Sequence, residues 1–232
     1  MGKPWKWALG AVLALANGAA QAAELTATER QWLEAAVPVL QFARELGLPL
    51  DILVQPQPTP GETPMGMAFI DGRCKLVLSM RGNPEAQATL DRIDPGLVDV
   101  VIESIAAHEL AHCWRHLERA WGSVPEGLGD ERWRRHVSDE QADLLSDMWR
   151  TRREEAYADL VGLAWTLKHH PSRYEEVHAW LARFRARQAV DTGPHDTRRW
   201  VQLARDRQAF GAASSIFEQV RPLWVAGLRA GL

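Results

Sequence analysis

His108-Glu109-Leu110-Ala111-His112 lies inside an apolar-periodic run from about Leu97 to Ala120 that reads as a helix. On a helix, residues i and i+4 stand one above the other on the same face. His108 and His112 are therefore expected to aim two imidazoles at one point. Glu109 follows the first of them and reaches the open side of that point. The rest of the chain must pack around this helix while leaving one face of it accessible.

The spacing matches the H-E-x-x-H pattern of zinc hydrolases. In such a site zinc lowers the pKa of a bound water, and the glutamate receives its proton. The bland alternative is an amphipathic helix that happens to carry two His and a Glu. A catalytic zinc has three protein ligands, so a third must be sought. His116 is two turns from His108, about 12 Å along the axis, and too far to share its ion. It reads as a surface residue or one that braces the site. The better third ligand is Glu155, in Arg153-Glu154-Glu155-Ala156-Tyr157-Ala158-Asp159. Glu155 and Asp159 are i and i+4, so one helix points both at one place. Asp159 is expected to accept the spare N–H of a ligand His. Glu154 has Ala158 at i+4 and is expected to be exposed.

H-E-x-x-H followed by E-x-x-x-D on a later helix resembles the gluzincin arrangement. Glu155-Ala156-Tyr157-Ala158-Asp159 is similar to the E-x-x-A-D segment of the M48 metallopeptidases, the family of the CAAX prenyl proteases and of periplasmic outer-membrane quality-control proteases. The resemblance covers these two helices and one later stretch, His195-Asp196-Thr197-Arg198-Arg199-Trp200-Val201. M48 proteins often carry a His-Pro segment there, followed by Thr, Arg and an aliphatic residue. Here Asp196 stands in place of the Pro and the Arg arrives early. The resemblance implies a role for His195 at the metal or as an oxyanion donor. The alternative is a residue beside a helix cap. Tyr157, Tyr174 and His178 are weaker donor candidates. The multi-span membrane portion of the prenyl proteases is missing, so their substrate class is not implied.

The chain has 232 residues, 46% hydrophobic and 25% charged, enough for one sizeable core. A net charge of -3 gives no pointer to nucleic acid. Lys3 and Lys6, the apolar run from Trp7 to about Ala16 and Ala20-Gln21-Ala22 together resemble a secretory signal peptide, residues 1–22. A retained anchor is the alternative, but the run is short for a membrane span. Export to a periplasm, or secretion, is expected, with residues 23–232 as a single zinc metallopeptidase domain. In that setting Cys74 and Cys113 either form a disulfide or stay as two buried thiols. Cys113 points about 100° away from the His108–His112 stripe and is a poor ligand.

A helix is expected over Thr28–Leu46, capped at Thr28, kinked at Pro38 and stopped by Gly47. Leu50–Val54 reads as a strand and Gln55–Pro64 as a loop. Met67–Ile70 and Cys74–Met80 read as strands around Asp71-Gly72, a tight-hairpin signal. The second of these either borders the cleft as an edge strand or lies inside the sheet. Arg81–Gly96 reads as loop with at most a short helical turn. Trp121–Val137 is a surface excursion, a lid over the cleft being one use for it. Ser138 and Gln141 form a capping box that starts a helix ended by Pro171. Further helices are expected over Ser172–Val190, Thr197–Phe210 and Ser214–Leu228.

The fold class is thus α+β, mostly helical and zincin-like, with a small sheet beside the H-E-x-x-H helix. The expected function is a zinc metalloendopeptidase acting on peptide or protein substrates with one Zn²⁺ per chain. His108, His112 and Glu155 would bind the metal, Glu109 would be the general base and Asp159 would orient a ligand His. The rivals are a zinc-stabilised, non-catalytic binding protein of the cell envelope and a metal-free helical scaffold.

Overall fold

Two helices run antiparallel through the centre of the fold, and their register determines what can meet between them. The computed structural model describes residues 24–55, 62–128, 137–188 and 193–230. The leader assigned to residues 1–22 lies outside these, as do residues 129–136 of the excursion. Among the described residues the elements are α1 (Ala27–Glu45), β1 (Leu50–Val54), β2 (Met65–Ile70), β3 (Arg73–Leu78), α2 (Pro84–Asp91), α3 (Val98–Leu117), α4 (Asp139–His169), α5 (Tyr174–Gln188), α6 (Arg198–Leu203), α7 (Ile216–Gln219) and α8 (Arg221–Arg229). The protein is mostly helical with one small sheet. No helix among the described residues is long and apolar enough to cross a membrane.

α3 is the core helix. Val101, Ile102, Ala106, Ala107, Leu110 and Ala111 are buried on it. The alanines among them, Ala106, Ala107 and Ala111, let α4 and α1 approach closely. α4 begins at the predicted cap: the Ser138 hydroxyl accepts from Gln141 N–H, and the Gln141 side chain accepts from Ser138 N–H. The helix runs unbroken to His169, just before Pro171. Facing pairs along α3 and α4 form a ladder: Glu103 with Trp165, Ser104 with Gly162, His108 with Asp159, His112 with Glu155, and Arg115 with Glu154.

The sheet has the order β1-β3-β2, with β1 parallel and β2 antiparallel to β3. β3 is therefore interior, which excludes it as the strand bordering a cleft. Its inward residues Cys74, Leu76 and Leu78 are buried and alternate with more exposed neighbours, as a strand requires. The β2–β3 turn is the predicted tight one, with positive φ at Asp71 (52°) and Gly72 (72°). Cys74 and Cys113 form a disulfide that ties β3 to α3, with Cα atoms 5.7 Å apart.

Several boundaries differ from the sequence reading. α1 is capped by Thr26 rather than Thr28, in a capping box with Glu29, and it runs through Pro38. Residues 84–91 form a two-turn helix, α2, because Asn83 caps it and Pro84 fills its first position. The helix expected over 197–210 stops at Leu203 and gives way to a short turn capped by Asp206. The helix expected over 214–228 is broken at Val220, ahead of Pro222, into α7 and α8.

Candidate metal centre

His108 and His112 project from one face of α3, as their spacing requires, and their Nε2 atoms face each other 3.1 Å apart. Glu155 enters from α4. Its Oε1 lies 3.6 Å from His112 Nε2 and its Oε2 lies 3.7 Å from His108 Nε2. One ligand atom from each of the three falls within 4.8 Å of the others, a grouping that could hold a metal ion. The ladder brings them together: three residues separate Glu155 from Asp159 and His108 from His112, so antiparallel helices meet rung by rung.

Asp159 stands where the sequence reading put it. Its Oδ1 is 2.9 Å from His108 Nδ1, so the carboxylate leaves His108 Nε2 as the inward-facing nitrogen. Burial alone would raise the pKa of Asp159. The Arg185 charge and the His108 contact overcome this and hold it at about 2. Glu155 behaves likewise. Burial works against its charged form, yet His112, His195, His108 and Arg185 keep its carboxyl well below the usual carboxylate range. Burial also disfavours a charged His112, but Glu155, Glu109 and Glu154 outweigh it and raise the imidazole pKa. His112 Nδ1 is buried and has no hydrogen-bond partner among the described residues.

Glu109 is buried beside the cluster, and this burial pushes its carboxyl pKa up, against the pull of the two imidazoles. Among the described residues no hydrogen bond or ion pair occupies its carboxylate. His195 is half-exposed, with Nδ1 3.4 Å from Glu155 Oε2. It sits at the edge of the cluster, over the carboxylate. The other donor candidates are committed elsewhere. Tyr157 donates to the Phe217 carbonyl and Tyr174 to the Ala204 carbonyl, and His178 Nε2 lies 2.7 Å from the Val201 carbonyl oxygen. His116 is exposed and stacks on Phe69 of β2, with ring centroids 3.9 Å apart.

Glu154 is not exposed. It is buried and forms a two-bond pair with Arg115 at 2.9 and 2.7 Å. It also accepts from Gly122 N–H, while Arg115 donates to the Ser123 carbonyl. This network anchors the turn after α3 and sets Trp121 against His112, with ring centroids 5.4 Å apart. Trp121 also meets the edge of Phe69. The excursion predicted from Trp121 onward thus starts at the cluster.

Two residues of the site went unread in the sequence. Arg185 of α5 is buried and grips Asp159 through two bonds, at 2.8 and 2.6 Å. It also donates to Glu155 Oε2 at 3.0 Å. Thr197, noticed only as part of the later stretch, donates its hydroxyl to Asp159 Oδ2 at 2.6 Å. A signal for Arg185 exists in the spacing. It lies four residues after Leu181 and eight after Val177, both buried, so a charge falls on the core stripe of α5.

No known family model matches the chain, and no curated protein or solved structure is detectably similar to it.

Proposed function

We propose that this protein is a zinc-dependent peptidase of the gluzincin type, exported from the cytoplasm. The observation that carries the reading is the convergence of His108, His112 and Glu155 from two antiparallel helices, with a buried, uncommitted Glu109 beside them. The donor set fits the metal. A tetrahedral ion with bonds of about 2.0–2.1 Å sets donor separations of roughly 3.3 Å. With one donor atom from each residue the three lie within 4.8 Å of one another, and the His108–His112 pair at 3.1 Å and the His112–Glu155 Oε1 pair at 3.6 Å bracket that value. Two imidazoles and one carboxylate also suit zinc in chemistry.

Bound zinc would supply Lewis-acid activation of a water and of the scissile carbonyl. Glu109 would be the general base that takes a proton from such a water and would carry it to the leaving amine. Asp159 holds the His108 ring in the ligating tautomer. His195, at the edge of the cluster, would donate to the developing oxyanion. β2 is an edge strand packed on α3 and offers main-chain groups to an extended peptide. The Cys74–Cys113 disulfide and the leader-like N-terminus together support an extracytoplasmic location.

The test is zinc content by elemental analysis on the mature protein and on Glu155→Ala, followed by cleavage of an unstructured protein such as casein. One zinc per chain in the parent, a large loss in Glu155→Ala, and cleavage abolished by Glu109→Gln are expected. A folded parent that takes up no offered zinc would overturn the metal reading. Full zinc with no cleavage of any peptide or protein tried would favour the non-catalytic binding protein.

A further inference from the structure

Glu155 presents two carboxylate oxygens, and only Oε1 is left to the imidazole cluster without a competing donor from outside it. Oε2 receives the Arg185 Nη2 hydrogen bond at 3.0 Å and lies 3.4 Å from His195 Nδ1. The same Arg185 Nη2 donates to Asp159 Oδ1 at 2.6 Å, and Arg185 Nε donates to Asp159 Oδ2 at 2.8 Å. One planar guanidinium therefore spans two carboxylates one turn apart on α4. Asp159 is buried, Glu155 is largely so, and both carry negative charge, so without a cation between them they would repel. Arginine stays charged at any working pH, and its rigid fork fixes the geometry of what it binds.

We propose, resting on the metal reading above, that Arg185 is a positioning residue that restricts Glu155 to one metal-facing oxygen and keeps a coordination position open. A carboxylate can bind a metal through one oxygen or two. A second oxygen would fill the place that a catalytic site leaves for water or substrate. Arg185 occupies that second oxygen. Through its other two bonds it also braces Asp159, which Thr197 holds from a further side and which in turn orients His108. Two of the three ligand arms are thus set by one side chain from α5. Lysine could not replace it, because an ammonium on a flexible stem lacks the planar fork that spans both carboxylates in a fixed geometry.

The experiment is the visible spectrum of the cobalt(II)-loaded protein, compared with Arg185→Gln and Arg185→Lys at equal metal loading. The d–d bands are intense in a four-coordinate site and weaken as ligands are added. The parent is expected to show the intense bands. Arg185→Gln is expected to lose intensity as Glu155 closes on the metal with both oxygens. Arg185→Lys is expected to resemble Gln rather than the parent, because charge without the fork does not hold Oε2. Identical spectra in the three proteins would overturn the proposal while leaving the metal site standing. A parent that binds no cobalt or zinc would overturn the metal reading itself. If Arg185→Gln fails to fold, Arg185→Lys still decides: a parent-like spectrum there overturns the role of the fork.

Discussion

Gly162 of α4 lies so close to Ser104 of α3 that a β-carbon on it would stand 2.6 Å from the Ser104 carbonyl oxygen. Side chains do not tolerate such an approach to backbone. The contact is one turn from the His108–Asp159 rung and sets the spacing of the two helices there. Gly162→Ala is therefore expected to push the helices apart at the site. Overpacking of this kind costs about 1–3 kcal/mol. The displaced rung should also weaken metal binding. Thermal unfolding and a zinc titration check both effects. A variant as stable and as tight as the parent would show that the helix spacing is not limited at this point.

The Cys74–Cys113 bridge joins the central strand to α3 across 39 residues of sequence. Closing a loop of that length removes unfolded-state entropy worth about 4 kcal/mol. For a chain of this size the loss corresponds to roughly 10 °C in Tm. Cys113 directly follows His112, so the bridge also restrains the helix next to a candidate ligand. Replacing both cysteines by alanine should lower Tm by about that amount and reduce zinc affinity. Calorimetry and metal titration on the double variant measure the two losses. An unchanged Tm would mean that the bridge does not form or that the unfolded chain is already constrained.

The parts of the fold legible in the sequence were those set by local rules. The Ser138 capping box, the Asp71-Gly72 turn and the i, i+4 pairs His108/His112 and Glu155/Asp159 each need only a few consecutive residues to be read. What stayed hidden depends on partners distant in sequence. Glu154 looked exposed because Ala158 gives it no local partner, yet Arg115 meets it from 39 residues away. Arg185 reaches Asp159 across 26 residues, and nothing near it in sequence requires a carboxylate. β3 read equally well as edge or interior, since alternation reports which face is buried and not how many neighbours the strand has. The breaks at Leu203 and Val220 were missed because apolar spacing continued across them.

Glu109, the proposed general base, also has a cost. Burial raises its pKa, so its folded value lies above its unfolded one. For an acid, that sign means the charged form destabilises the fold at every pH above the unfolded pKa. Glu109→Gln removes the charge and keeps the shape. The metal-free variant is expected to melt at a higher temperature than the metal-free parent at pH 7, while peptide cleavage is lost. Side-by-side melts and a cleavage assay decide it. A lower melting temperature would mean that the carboxylate has a structural partner after all.

Metal binding should depend on pH through His112. In the metal-free protein its pKa is raised above 6.5: burial opposes the proton, but Glu155, Glu109 and Glu154 hold it. A histidine with a raised folded pKa contributes stability that is complete below its unfolded value. That contribution is lost as pH rises through the folded value. The metal-free protein is therefore expected to lose stability as pH rises above about 6.5. A metal needs the neutral ring, so its binding must displace that proton. Zinc affinity is expected to climb over the same interval in which the metal-free fold weakens. Calorimetric zinc titrations at pH 7 in two buffers of different ionisation enthalpy count the protons released. A net release of protons on zinc binding is expected from the parent, because the raised pKa keeps part of the His112 population protonated. Proton release near zero in the parent would show that His112 is already neutral and that the three carboxylates do not hold its proton.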